Sequence, residues 1–437
     1  MKINDKDKQI LRIAIPSIVT NITVPLLGLV DVGIVGHIGN AAYIGAIAVG
    51  TTIFNIIYWM FGFLRMGTGG LTSQAYGRRD LKEIVLLLGR SLTIALSVSA
   101  IMLIMQKLLF ITAVDFIAPS LETARLVAIY FDICVWGIPA MLCLYGLTGW
   151  FIGMQNTRIP MFVSITQNIV NIVASMILVF GLGMKIDGVA TGTVIAQYAG
   201  LFMALTFLVW RYGRLRKYFD LSQLFCKQSM LQFFKVNRDI FLRTLFFISV
   251  NLYFTHVGAI QGDVILAVNT LLLQMFTIFS YVMDGFAYAA EALSGKFYGA
   301  QNRQALDAII RRLFGWGLFM AILFTTIYVL GGKSFLSLLT TDDIVLEASS
   351  EYFMWAVLIP LAGIAAFVWD GIFIGITETA GMLLSSMIAA TVFFTIYLTA
   401  SPYIYNHALW IAFISFLAAR GISQTFIYKV KQKKIPF

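Results

Sequence analysis

Charge is scarce in this sequence: Asp, Glu, Lys and Arg make up 12% of its 437 residues, against about 25% in a soluble domain. Set beside 59% apolar residues and a mean hydropathy of +0.87, that deficit excludes a soluble globular enzyme and a disordered chain. Cysteine is also sparse. Cys134, Cys143 and Cys226 are odd in number and two lie in apolar segments, which excludes a disulfide scaffold and argues against a thiolate metal site. The three histidines, His37, His256 and His407, are scattered, and no HExxH, GxSxG or GxxxxGK[ST] pattern occurs. No enzyme activity, bound metal or cofactor is therefore expected. The net charge of +10 does not point to nucleic acid here, because excess Lys and Arg mark cytoplasmic loops in so apolar a chain.

What the sequence has is long apolar runs from end to end. Residues 315–330 are apolar on every face, whereas a transmembrane β-barrel strand would alternate. The fold class is an all-α polytopic membrane protein. Runs of about 20 apolar residues each span a bilayer, and twelve are placed at 13–36, 41–65, 84–110, 124–150, 158–182, 187–210, 240–260, 264–290, 308–332, 347–375, 380–400 and 404–428. The start of the chain has mixed charge and no small-residue cleavage site, so the first helix is expected to be retained. With a cytoplasmic N-terminus, only Lys107, Arg125, Lys185 and Lys333 of the 31 Lys and Arg fall outside. That asymmetry puts both termini in the cytoplasm.

The longest inner connection, from Arg211 to Arg243, is basic and partly amphipathic, suited to lie on an anionic leaflet. It divides the chain into an N-lobe (1–210), a linker (211–239) and a C-lobe (240–437). The lobes repeat at an offset of 222 residues: Leu71, Tyr76 and Gly77 match Leu293, Tyr298 and Gly299. Tyr130 and Phe131 match Tyr352 and Phe353, Phe151 to Gly153 match Phe373 to Gly375, and Thr157 matches Thr379. Six helices per repeat is an even number, so the lobes share orientation about a pseudo-two-fold axis along the membrane normal. This is the architecture of alternating access.

Ionisable groups inside a membrane are costly, and each is a functional candidate. The carboxylates break the repeat: Asp31 corresponds to Tyr253, Asp284 to Gly62, Glu291 to Gly69 and Asp370 to Thr148. Asp31 follows Pro25 and Gly28, a pair suited to a helix hinge, so its protonation could couple to a bend. Ser164, Asn168, Asn171 and Ser175 share one face of the fifth span. Their counterparts are Ser386, Ala390, Phe393 and Tyr397. A proton or cation coupling site is thus read at Asp31, Asn168, Asn171 and Ser175, with interhelical hydrogen bonding as the alternative. Gly188, Gly192, Ala196 and Gly200 read as close helix packing. Toward the inner side, Arg65, Asp284, Glu291 and Asp370 form an expected polar network or gate.

The stretches NITVPLLGLVDVGIVGHIG, FLRMGTGGLTSQAYG, DGFAYAAEALSGKFYGA, WDGIFIG and NHALWIAFISFLAARGIS resemble the multidrug and toxic compound extrusion family, in its bacterial DNA-damage-inducible protein F type branch. The resemblance touches nearly every helix. It implies export of organic, often cationic and amphipathic small molecules in exchange for protons or sodium, in a bacterial inner membrane. The family's helix 1 carboxylate falls on Asp31 and its helix 10 acid on Asp370. The family's helix 5 Asn falls on Asn171, but the Asp four residues later is Ser175 here. One carboxylate instead of two favours protons over sodium, which would bind at Asp31 and Asn171. The transmembrane ion gradient replaces any cofactor, membrane lipid is the surrounding partner, and a monomer is expected. The alternative reading is a lipid or lipid-linked-glycan flippase, which would favour a basic cleft.

Overall fold

The computed structural model describes residues 4–36, 41–117, 120–340 and 342–432; the side chains of residues 24–32, 35–36, 41, 116, 333, 338–339 and 432 lie outside the description. The chain is an all-helical membrane protein. Its helices are α1 (Asp5–Gly36), α2 (Ala41–Phe61), α3 (Phe63–Arg78), α4 (Leu81–Ile104), α5 (Gln106–Ile117), α6 (Leu121–Cys134), α7 (Ile138–Gly153) and α8 (Arg158–Met176). They continue as α9 (Ile186–Tyr212), the single turn α10 (Leu221–Leu224), α11 (Lys227–Ile260), α12 (Asp263–Gly299), α13 (Arg303–Leu339), α14 (Asp343–Gly375) and α15 (Thr379–Gln432).

Among the described residues ten stretches are long and apolar enough to cross a membrane. The last of them, Thr379–Lys431, is two helices merged across non-helical backbone at Ile404 and Tyr405. With that division and α1, the twelve spans of the sequence reading all have a helix. Boundaries differ where polar residues extend a helix beyond the apolar run, as in α12 and α13.

The chain forms two compact units, Val19–Phe234 and Met1–Ile18 with Lys235–Phe437. This division differs from the lobes drawn from sequence. The boundary falls inside α11, which begins at Lys227. The segment read as linker up to residue 239 is thus helical over its last part. Buried Phe233, Val236 and Ile240 carry the apolar stripe of α11 backwards at helical spacing, although the surrounding Lys and Arg resemble a loop. The opening of α1 belongs to the second unit. There Asp7 is fully buried, bonded to the Trp316 indole at 3.0 Å and the Arg312 guanidinium at 3.2 Å on α13. Burial pushes the Asp7 carboxyl up, but the Asn4 backbone N–H, Trp316 and Arg312 outweigh it and hold its pKa below the usual value.

The 222-residue repeat is written in the backbone. Arg79 and Gln301 end α3 and α12 in left-handed conformations (φ 60° and 53°), and Gln155 and Thr377 do the same after α7 and α14 (φ 61° and 56°). Asp80 and Asn302 then cap α4 and α13, accepting from the N–H groups of Glu83 and Ala305. Close helix contacts recur as well. A Cβ on Gly149 would meet the Arg65 carbonyl at 2.1 Å, and one on Gly371 the Ala287 carbonyl at 2.2 Å. Gly153 lies against Gly69 and Thr72; Gly375 lies against Glu291 and Ser294. Each pair brings α7 onto α3, or α14 onto α12, at backbone contact distance.

Candidate functional site

In the first unit, α8 carries its polar stripe toward α1 and α9. The Thr23 hydroxyl is 3.1 Å from the Ser164 hydroxyl, and the Asn168 amide donates to the Thr23 carbonyl at 2.8 Å. These bonds reach α1 two residues before Pro25, which carries no backbone N–H to donate within the helix. One turn further along α8, Asn171 is fully buried and donates to the Thr193 hydroxyl on α9 at 3.1 Å. Ser175 is fully buried too. Among the described residues the Asn171 Oδ1 and the Ser175 Oγ find no hydrogen-bond partner, an uncommon state for buried polar atoms. Gly192 permits this approach, since a Cβ there would lie 2.4 Å from the Ser175 Oγ. The site offers two oxygen lone-pair groups to a proton carrier or small cation. The backbones of Pro25, Gly28 and Asp31 run in α1, while their side chains lie outside the described residues.

The second unit has no such pocket at the equivalent positions. Phe393 is fully buried, and Tyr253 packs edge-on against Phe393 and Tyr397 with ring centroids 6.2 and 5.4 Å apart. Its polarity sits elsewhere, around Asp370 on α14. Arg243 of α11 and Arg420 of α15 both donate to the Asp370 Oδ2, and the Gln424 amide donates to Oδ1 at 2.6 Å. The Arg420 guanidinium also lies 5.6 and 5.5 Å from the rings of Phe247 and Phe416.

The structure adds two cations to the inner residues drawn from sequence: Arg243 and Arg420 both meet Asp370. In the Val19–Phe234 unit the Arg65 carbonyl lies under Gly149. Asp284 is close enough to act electrostatically on Arg420, and Glu291 is buried on α12 with its carbonyl under Gly375. Sequence reasoning missed Arg420 and Arg243 because both were counted with the basic residues of the inner loops, although each lies inside a helix, α15 or α11. The usable signal was an Arg inside the apolar run FLAARGIS. No group of three His, Cys, Asp or Glu suited to a metal occurs among the described residues.

The MatE family model matches residues 16–177 and again residues 240–399, one copy in each repeat. The chain belongs to the MatE family. A relative in Escherichia coli strain K12, DNA damage-inducible protein F, is 36% identical over 98% of this chain and 93% of its own length. A second, the probable multidrug resistance protein NorM of Acinetobacter baylyi, is 22% identical over 87% of this chain and 86% of that protein. A solved MATE structure in a bent conformation superposes with a TM-score of 0.88 at 16% identity, covering 99% of this chain and 96% of that one. The twelve-helix, two-lobed MatE architecture is therefore the fold of this chain, and it is a membrane transporter of the multidrug and toxin extrusion class.

Proposed function

We propose that this MatE protein is a proton-coupled antiporter of a bacterial inner membrane, with both termini cytoplasmic and Asp31 as its coupling carboxylate. The proposed cargo is organic, often cationic and amphipathic; the NorM relative's name speaks of multidrug resistance.

One observation carries the reading. Tyr253, the repeat counterpart of Asp31, packs on Phe393 and Tyr397, the counterparts of Asn171 and Ser175. The equivalence supports Asp31 working against the unpartnered oxygens of Asn171 and Ser175. Protonating Asp31 from outside would discharge its carboxylate and let α1 bend at Pro25 and Gly28, while Asn168 and Ser164 hold the segment at Thr23. Deprotonation accompanies the return. A Ser in place of a second carboxylate weakens the case for sodium, a hard cation that gains most from charged oxygen ligands. The driving force is adequate, at about 2.3 kcal/mol per charge per 100 mV plus about 1.4 kcal/mol per pH unit.

The test is efflux of a fluorescent organic cation from proteoliposomes, with proton and sodium gradients collapsed in turn. Asp31→Asn is expected to abolish gradient-driven efflux while inserting and melting like the parent. Undiminished efflux by that variant would sink the proposal.

A further inference from the structure

Where the two helical parts of α15 meet, at the membrane face opposite the basic loops, the second unit holds a cluster that the coupling scheme does not use. Trp355 on α14 donates its indole N–H to the His407 Nδ1 at 3.0 Å. An indole is only a donor, so Nδ1 is bare and the neutral ring carries its proton on Nε2. That nitrogen faces the Glu351 carboxylate at 3.2 Å, and the Tyr352 ring lies 4.8 Å from the imidazole. The His407 and Glu351 side chains are 35% and 61% exposed, so neither is enclosed by the protein.

We infer that His407 is a proton-binding site whose occupation releases Trp355 from α15. A second proton must enter at Nδ1, which places two N–H donors face to face at the distance of the present bond. The Trp355 bond is lost, while the bond to Glu351 becomes charge-assisted and strengthens. Glu351 and Tyr352 both favour the imidazolium, the latter through its ring face. Asn406, the residue before His407, is uncharged and bonds reciprocally with Asn269 of α12 at 2.9 Å.

The release matters because of what the cluster holds. Tyr405, two residues before His407, sits at φ 44° and ψ −120°. Its repeat counterpart is Gly183, with φ 71°. The first unit has a glycine at positive φ at this station and the second has a tyrosine at positive φ, a strained arrangement that persists only under external restraint. His407–Trp355 and Asn406–Asn269 are the restraints beside it, and protonation removes the first. The counterpart of His407 in the first unit is Lys185, a permanent cation, so the titratable form belongs to one unit alone.

The site adds to the Asp31 scheme and is tested without transport. Histidine-selective 15N NMR of the full chain in lipid bilayers reads three histidines, and His407→Gln identifies one of them. The neutral His407 is expected as the Nε2–H tautomer, with the Trp355 indole resonance shifting at the same midpoint as the imidazole on acidification. Trp355→Phe should raise the proton affinity of His407 about three- to tenfold, and Glu351→Gln should lower it by a similar factor. A His407 that stays neutral from pH 8 to 5, an indole resonance that does not follow it, or two variants moving the midpoint in one direction would overturn the inference.

Discussion

Arg420 reaches the same carboxylate oxygen of Asp370 that Arg243 holds, and both members of the Arg420–Asp370 pair are buried. A buried pair is strongly destabilising only when one member is removed. Arg420→Met is expected to cost about 3 kcal/mol of stability, read as a lower melting temperature in detergent. Asp370→Asn should cost more than Arg420→Met, because it leaves both Arg243 and Arg420 without their carboxylate, whereas Arg243 still meets Asp370 when Arg420 is removed. An Asp370→Asn variant at least as stable as Arg420→Met would contradict this account.

The glycines at the helix crossings give a paired prediction. Gly149→Ala and Gly371→Ala each press a methyl onto a backbone carbonyl, at 2.1 and 2.2 Å. Backbone cannot step aside as a side chain can. Each should lower stability by about 1–3 kcal/mol, and by similar amounts. Gly33→Ala meets nothing within 4 Å and serves as the control, with an expected effect near zero or slightly stabilising.

The connection between the repeats is pinned to α4, and acid should unpin it. Asp220 bonds to Ser222 and to Lys82, the latter at 2.9 Å, and these contacts, Ser222 first, hold its pKa down to about 2. A carboxyl depressed in the folded state stabilises it above the ordinary value near 3.8, and the contribution fades as pH falls from there through about 2. Pepsin, which is active in this range, should therefore begin to nick the chain near Phe219 to Phe225 only as pH drops below about 4. Asp220→Asn should be nicked at pH 4 already. Arg90, buried against Glu83 and the carbonyls of Leu224 and Gln223, keeps the next turn in place, so cleavage should stay on the Asp220 side.

Much of this was legible in the sequence because a bilayer imposes simple demands. Apolar length located the spans, and the offset repeat located the matching turns, since left-handed residues such as Arg79 and Gln301 follow the same YG pair. The polar stripe Ser164–Asn168–Asn171–Ser175 was readable from helical period alone. The partners of Asp370 were not, because pairing between α11, α14 and α15 depends on helix rotation and depth, which periodicity does not specify. The early start of α11 was hidden for another reason: basic residues serve a loop and an interfacial helix turn equally well. Tyr405 was invisible too, since nothing in its neighbourhood announces that a tyrosine takes a glycine's backbone.

Two units that share turns, caps and crossing glycines but not interiors supply each other with an internal control. Asn171 and Phe393 stand at the same station of the same helix, one amid unpartnered oxygens and the other among aromatic rings. A substitution made at both stations perturbs one backbone geometry twice. Whatever the two variants lose in common belongs to architecture, and only the remainder belongs to chemistry. The subtraction is made within a single polypeptide, and the reference sits 222 residues away.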